Sequence, residues 1–144
     1  MRHIGVTTTF ADQYGELLRT MRSEPIDLIG TNYAIDDRDA ERTILPPARD
    51  RGIAVLVYAP FGRTRLWRRT AGRALPEWAG DFDAHSWAQF FLKYAAALPA
   101  VTAVNPATSR VQNLDDNMGA AHGRLPDDAM RRRMTALMDS LPAA

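Results

Sequence analysis

Seven residues, IAVLVYA from Ile53 to Ala59, make the clearest strand in the chain, entered from Gly52 and left at Pro60. So short a run, rich in β-branched residues and almost without polar interruption, suits a parallel sheet with both faces covered. Parallel strands need a crossover between them, usually a helix. The rest of the chain supplies this pattern. Ile4–Thr9, Ile26–Ala34 and the Val101–Val104 run read as three more strands.

Tyr14, Leu17, Leu18 and Met21 mark a helix that Ser23-Glu24-Pro25 stops. A second helix is expected around Ala40–Leu45, interrupted or restarted at Pro46-Pro47 and ended by Gly52. Ala84–Leu98 reads as an amphipathic helix with Trp87, Phe90, Phe91, Tyr94 and Leu98 on one face and Lys93 in its middle. Val111, Leu114, Met118 and Ala121 mark another. The last begins at Pro126-Asp127-Asp128 and carries a Met130, Met134, Leu137, Met138 stripe, with Arg131 to Arg133 as a solvated face. The order is α/β, a parallel sheet of about four βα units with right-handed crossovers in a single domain, 1–144. Four units suit an open doubly wound sheet, or part of an eight-stranded barrel of roughly 250 residues.

The 144 residues carry a net charge of +1, which gives no general attraction to nucleic acid. Trp67 among Arg63, Arg65, Arg68, Arg69 and Arg73 therefore reads as a solvated or phosphate-facing loop. There is no cysteine, so no disulfide or thiolate site, and no run long enough to span a bilayer. The cytoplasm is the expected location. Asp36, Asp37, Asp39, Asp115 and Asp116 sit near expected helix starts, where capping is a more ordinary role than metal binding. The Ala107-Thr108-Ser109 turn after Asn105-Pro106 opens a helix, an arrangement whose free N–H groups favour an anion such as a phosphate.

Several segments taken together resemble the second half of an aldo/keto reductase: IGVTTTF, IDLIGTNYAIDDRDAERTILPPARDRGIAVLVYAPFG, SWAQFFLKYAAALPAVTAVNPATS and DNMGAAHGRLPDDAMRRRM. The resemblance implies strands five to eight of an (α/β)8 barrel of the TIM type, with NADP(H) held at their C-terminal ends. By position it implies that Thr7 and Thr8 replace a Ser-Asn pair that holds the nicotinamide carboxamide. It also implies that Tyr58 is the aromatic on which the nicotinamide stacks, and that Phe61 and Gly62 belong to the loop crossing the pyrophosphate. Ala107, Thr108 and Ser109 match the loop before the last barrel helix, and Asn117 matches an Asn facing the adenine. From the residues alone, β-branched Thr also suits a strand end, and Tyr58 suits a core position.

This chain departs from the family pattern in four places. Gly30 stands where a Gln usually contacts the carboxamide. The family's Arg for the 2′-phosphate falls at Asn113, which carries no charge, leaving Arg110 to supply it. The family's catalytic Asp, Tyr, Lys and His belong to the other half of the barrel, and His3, His85, His122 and Lys93 do not replace them. Met1 falls where a small aliphatic residue is usual, so position 1 is expected to be an internal start in a longer frame. The resemblance thus implies an NADP(H)-linked carbonyl oxidoreductase half without its own acid. Its partners would be a nicotinamide nucleotide and either a second copy or a complementary half-barrel chain. A non-catalytic dinucleotide- or partner-binding module, or a truncated remnant, is the alternative.

Overall fold

The computed structural model describes residues 2–143, so the expectation attached to Met1 lies outside the described residues. Its four strands are β1 (Gly5–Thr7), β2 (Leu28–Asn32), β3 (Ala54–Tyr58) and β4 (Ala103–Val104). They lie side by side in chain order and all run parallel. Helix α1 (Tyr14–Ser23) joins β1 to β2, while α2 (Asp39–Thr43) and α3 (Leu45–Asp50) join β2 to β3. Pro46 and Pro47 restart the helix as α3, and Gly52, at φ +67°, ends the turn into β3. The short α4 (Arg65–Thr70) and the long α5 (Trp87–Ala96) precede β4; α6 (Val111–Gly119) and α7 (Asp128–Ser140) follow it.

All the strand–helix packing is on one face of the sheet. Ile29, Thr31, Val55 and Val57 are fully buried there. On the opposite face Ala54, Leu56 and Tyr58 are only half-buried, and Gly5, Thr7 and Ala103 are exposed. The expectation that β3 is covered on both faces is therefore wrong. Its apolar run suits a closed barrel, and four strands leave the inward face without its opposing wall.

Helix α5 also departs from the expected amphipathic pattern, because every residue from Ala88 to Ala95 is buried. Lys93 has no exposed surface; its Nζ donates to the carbonyls of His122 (2.6 Å) and Arg124 (2.9 Å). Burial holds its pKa below the ordinary lysine value. The segment it grips is held from outside as well, since Arg124 forms a two-pronged pair with Asp83 (2.9 and 3.0 Å).

Arg131 is buried rather than part of a solvated face. Its guanidinium lies 4.5 Å from the Tyr94 ring centroid, reaches Glu41 at 3.3 Å and donates to Tyr33 Oη at 2.7 Å. Tyr33 in turn donates to Glu41 at 2.5 Å, and burial pushes its phenol well above the ordinary tyrosine value. This cluster ties α7 to α2 and to the end of β2. Arg133 lies over Trp78, and Arg132 is exposed.

Replacing Arg131 with Met leaves the Tyr33–Glu41 pair without its cation, and chemical denaturation should show a loss of about 2 to 3 kcal/mol. The Asp83 carboxyl is held well below the usual range by its hydrogen bonds from Arg124. A depressed carboxyl stabilises the fold above its unfolded value, and that contribution is lost as pH falls towards the folded value. Asp83→Asn should therefore flatten the fall in melting temperature that the parent chain shows below about pH 4.

Candidate functional site

The C-terminal ends of the strands carry the chemistry-bearing residues. The chain leaves β3 at Tyr58 and enters a loop in which Ala59 (φ 48°), Gly62 (φ 57°), Arg63 (φ 51°) and Thr64 (φ 80°) all take left-handed backbone. For non-glycine residues such conformations cost of order 1 kcal/mol or more each, and they persist only where neighbours enforce them. Asp36, 7% exposed at its side chain, enforces this one. Its carboxylate takes Arg65 Nε at 3.0 Å and Nη2 at 3.4 Å, and a Cβ on Gly62 would come within 2.6 Å of its Oδ1. Asp36 is thus an ion-pair anchor and not a helix cap.

This loop, the turn after β4 and the start of α5 enclose a cavity of about 430 Å³. Its walls are Phe61, Trp67 and Trp87 on one side and Ala107, Thr108, Asn113, Asp116 and Asn117 on the other. Phe61 and Trp67 pack with ring centroids 4.9 Å apart. Ser86 caps α5 by accepting from Gln89 N–H at 3.1 Å. The Gln89 side chain then bridges the helices: its Oε1 accepts from His85 N–H (2.9 Å) and its Nε2 donates to Asp116 Oδ1 (2.8 Å). Asp116 therefore fixes α6 against α5 from mid-helix, where no cap is possible, and Asp115 lies beside it.

Of the residues singled out from the sequence, Phe61, Ala107, Thr108 and Asn117 share this cavity. Asn117 is buried against it. Gly62 sits in the adjoining loop. Ser109 and Arg110 are exposed beyond the cavity wall, with Arg110 N–H donating to Thr108 Oγ1 at 3.3 Å. The other three lie further along the rim. Thr7 and Tyr58 share the open face of the sheet, and Thr8 is buried with its hydroxyl oxygen unpartnered among the described residues. Trp67, Trp87, Asn113 and Asp116 complete the wall, with Gln89 behind it. Their roles depend on contacts across the fold, and no local pattern announces them.

Gly30 is explained by its neighbour. A Cβ there would come within 2.6 Å of Tyr58 Cζ, so the phenol ring lies flat across Gly30 on the open face. Asn32, at the end of β2, donates to the Thr9 carbonyl at 2.5 Å and ties the β1 exit to this rim.

The arginine-rich segment is largely committed elsewhere. Arg65 holds Asp36, Arg63 lies 5.5 Å from the Phe10 ring centroid, and Arg69 donates to the Met138, Leu141 and Pro142 carbonyls at the end of α7.

Residues 1–137 match the model of the aldo/keto reductase family. The chain belongs to that family. Its fold superposes on the holo form of aldo-keto reductase AKR11C1 from Bacillus halodurans with a TM-score of 0.72, covering 99% of this chain and 51% of that one at 20% identity. An aldo-keto reductase, AKR2E5, solved with NADPH, gives a TM-score of 0.60 over 94% of this chain and 42% of its own, at 17% identity. An NADH-specific methylglyoxal reductase of Escherichia coli is 40% identical over a segment covering 42% of this chain and 18% of that enzyme. The chain thus spans about half the length of these relatives or less, as a partial (β/α)8 barrel.

Adding a methyl group at Gly30 must lift the Tyr58 ring from its bed. Gly30→Ala should lose about 1 to 3 kcal/mol in denaturant unfolding, and Gly30→Ala/Tyr58→Ala should recover part of that loss.

Proposed function

We propose that this aldo/keto reductase chain is the cofactor-holding half of a carbonyl oxidoreductase barrel, binding a nicotinamide nucleotide, NADP(H) in the family pattern, along the rim from Thr8 to Asn117. The observation that carries this reading is the cavity at the C-terminal end of the sheet, where Phe61, Ala107, Thr108 and Asn117 meet. Barrel ligands bind at that face. The residues present fit such a group. The cavity pairs aromatic walls with buried Asn117, which suits a purine, and the first N–H groups of α6 have no side-chain cap. Along the rim, the exposed Thr7 hydroxyl and the flat Tyr58 ring suit an amide and an aromatic ring.

When bound, a nicotinamide nucleotide supplies hydride; carbonyl reduction also requires a proton donor for the developing alkoxide. In this reading the family's Asp, Tyr, Lys and His are not on the chain, so it holds the nucleotide without completing the reaction. A partner-binding role is the second reading. It is favoured by the open face of β1–β4 and by α6, whose expected core stripe stands exposed at Val111 (68%), Leu114 (50%) and Met118 (56%). A second copy or a complementary half-barrel would cover both surfaces.

Titration of the purified chain with NADPH and NADH, read by quenching of tryptophan fluorescence, should give saturable binding, while the same preparation should show no carbonyl-dependent oxidation of either. Lack of binding removes the proposed role, and turnover by the chain alone removes the missing-acid account.

A further inference from the structure

Among the described residues the sheet ends in two unpaired edges, β1 on one side and β4 on the other. Within the strands, no charged side chain occupies the open face between them. From Gly5 and Thr7 on β1 across to Ala103 on β4 the positions on that side are small or uncharged, and Leu28, Leu56 and Tyr58 supply the bulk. A sheet face made for water carries polar and charged residues instead. Apolar surface also gathers at both edges. Ile4 enters β1 with 53% of its surface exposed, and an apolar groove of about 440 Å³ runs between β4 and α6, lined by Val101, Val104, Leu114 and Met118 among others.

Deepening the partner-binding reading above, on which it rests, we propose that the occupant of this face is a second copy of the chain, placed by a two-fold axis along the barrel axis so that β4 of each copy pairs with β1 of the other. As half of a (β/α)8 barrel, four strands turn through half a circle, and a two-fold rotation supplies the other half with every strand parallel. Symmetric halves share the barrel's shear equally, about four residues each, an even offset that keeps the open-face residues of both copies pointing inward. Both matching edges lie on this one chain, which favours a copy of itself over an unrelated partner. Ile4 and half-buried Val6 of one copy come to the groove beside β4 of the other, and the two open faces meet with no charge to bury. Such an interface closes at two copies and leaves no edge for further strands.

Sedimentation velocity and light scattering on the full chain, from about 1 to 100 µM, should show a species of twice the chain mass that dissociates on dilution. Leu56→Glu on the open face and Met118→Glu on α6 should each weaken it about tenfold or more, while Arg132→Glu on α7 leaves it unchanged and circular dichroism shows all three folded. A dimer indifferent to both of the first two variants overturns the proposal, because another surface then holds it. A monomer at every concentration that binds the apolar dye anilinonaphthalene sulfonate overturns the second copy and keeps the partner-binding reading. A monomer that binds no dye overturns both.

Discussion

The structure depends on one-sided packing. The two central strands, β2 and β3, bury Ile29, Thr31, Val55 and Val57 beneath the helices, and the apolar surface removed from water on that side holds the sheet together. The other face receives no such cover. Its residues alternate with the buried ones at a period of two, so their exposure follows from the same register that builds the core. Strand direction then places every strand exit on one rim, which brings together loops far apart in the chain.

The rim is kept in shape by polar anchors set behind it rather than by its own contacts. Asp36 with Arg65 fixes the loop after β3, Gln89 with Asp116 fixes α6, and Lys93 fixes the segment between α6 and α7. Each anchor is buried or partly buried and joins elements that are not neighbours in sequence. Such pairs add little when exposed, but removing one partner of a buried pair leaves an unmatched polar group at considerable cost. The cavity walls are thus held before any ligand arrives, which lowers the ordering cost of binding.

The strand order and most helix positions were legible because they are local. β-branched runs, apolar spacing, and Pro and Gly stops carry that information over a few residues each. The burial of Lys93 and Arg131 was not legible, because their partners lie 29 to 98 residues away. A charged residue inside an apolar stripe looks the same in sequence whether it meets water or a carbonyl. The exposure of Val111, Leu114 and Met118 was hidden for the opposite reason: their spacing describes a face that needs covering, without saying what covers it. At the site, resemblance singled out Phe61, Ala107, Thr108 and Asn117 for separate roles, and it is the fold that brings them to one cavity; Asp116 read only as a carboxylate near a helix start, because its position is set by Gln89 on another helix.

Lys93 is the single lysine in the sequence, and its amine is sealed beneath the His122 and Arg124 carbonyls. The native surface therefore draws its side-chain positive charge from arginine, which keeps its proton at any physiological pH. Acylating and carbonyl-condensing reagents that seek a neutral side-chain amine meet none on the folded chain. Reactive aldehydes have no lysine side chain to modify until the chain opens.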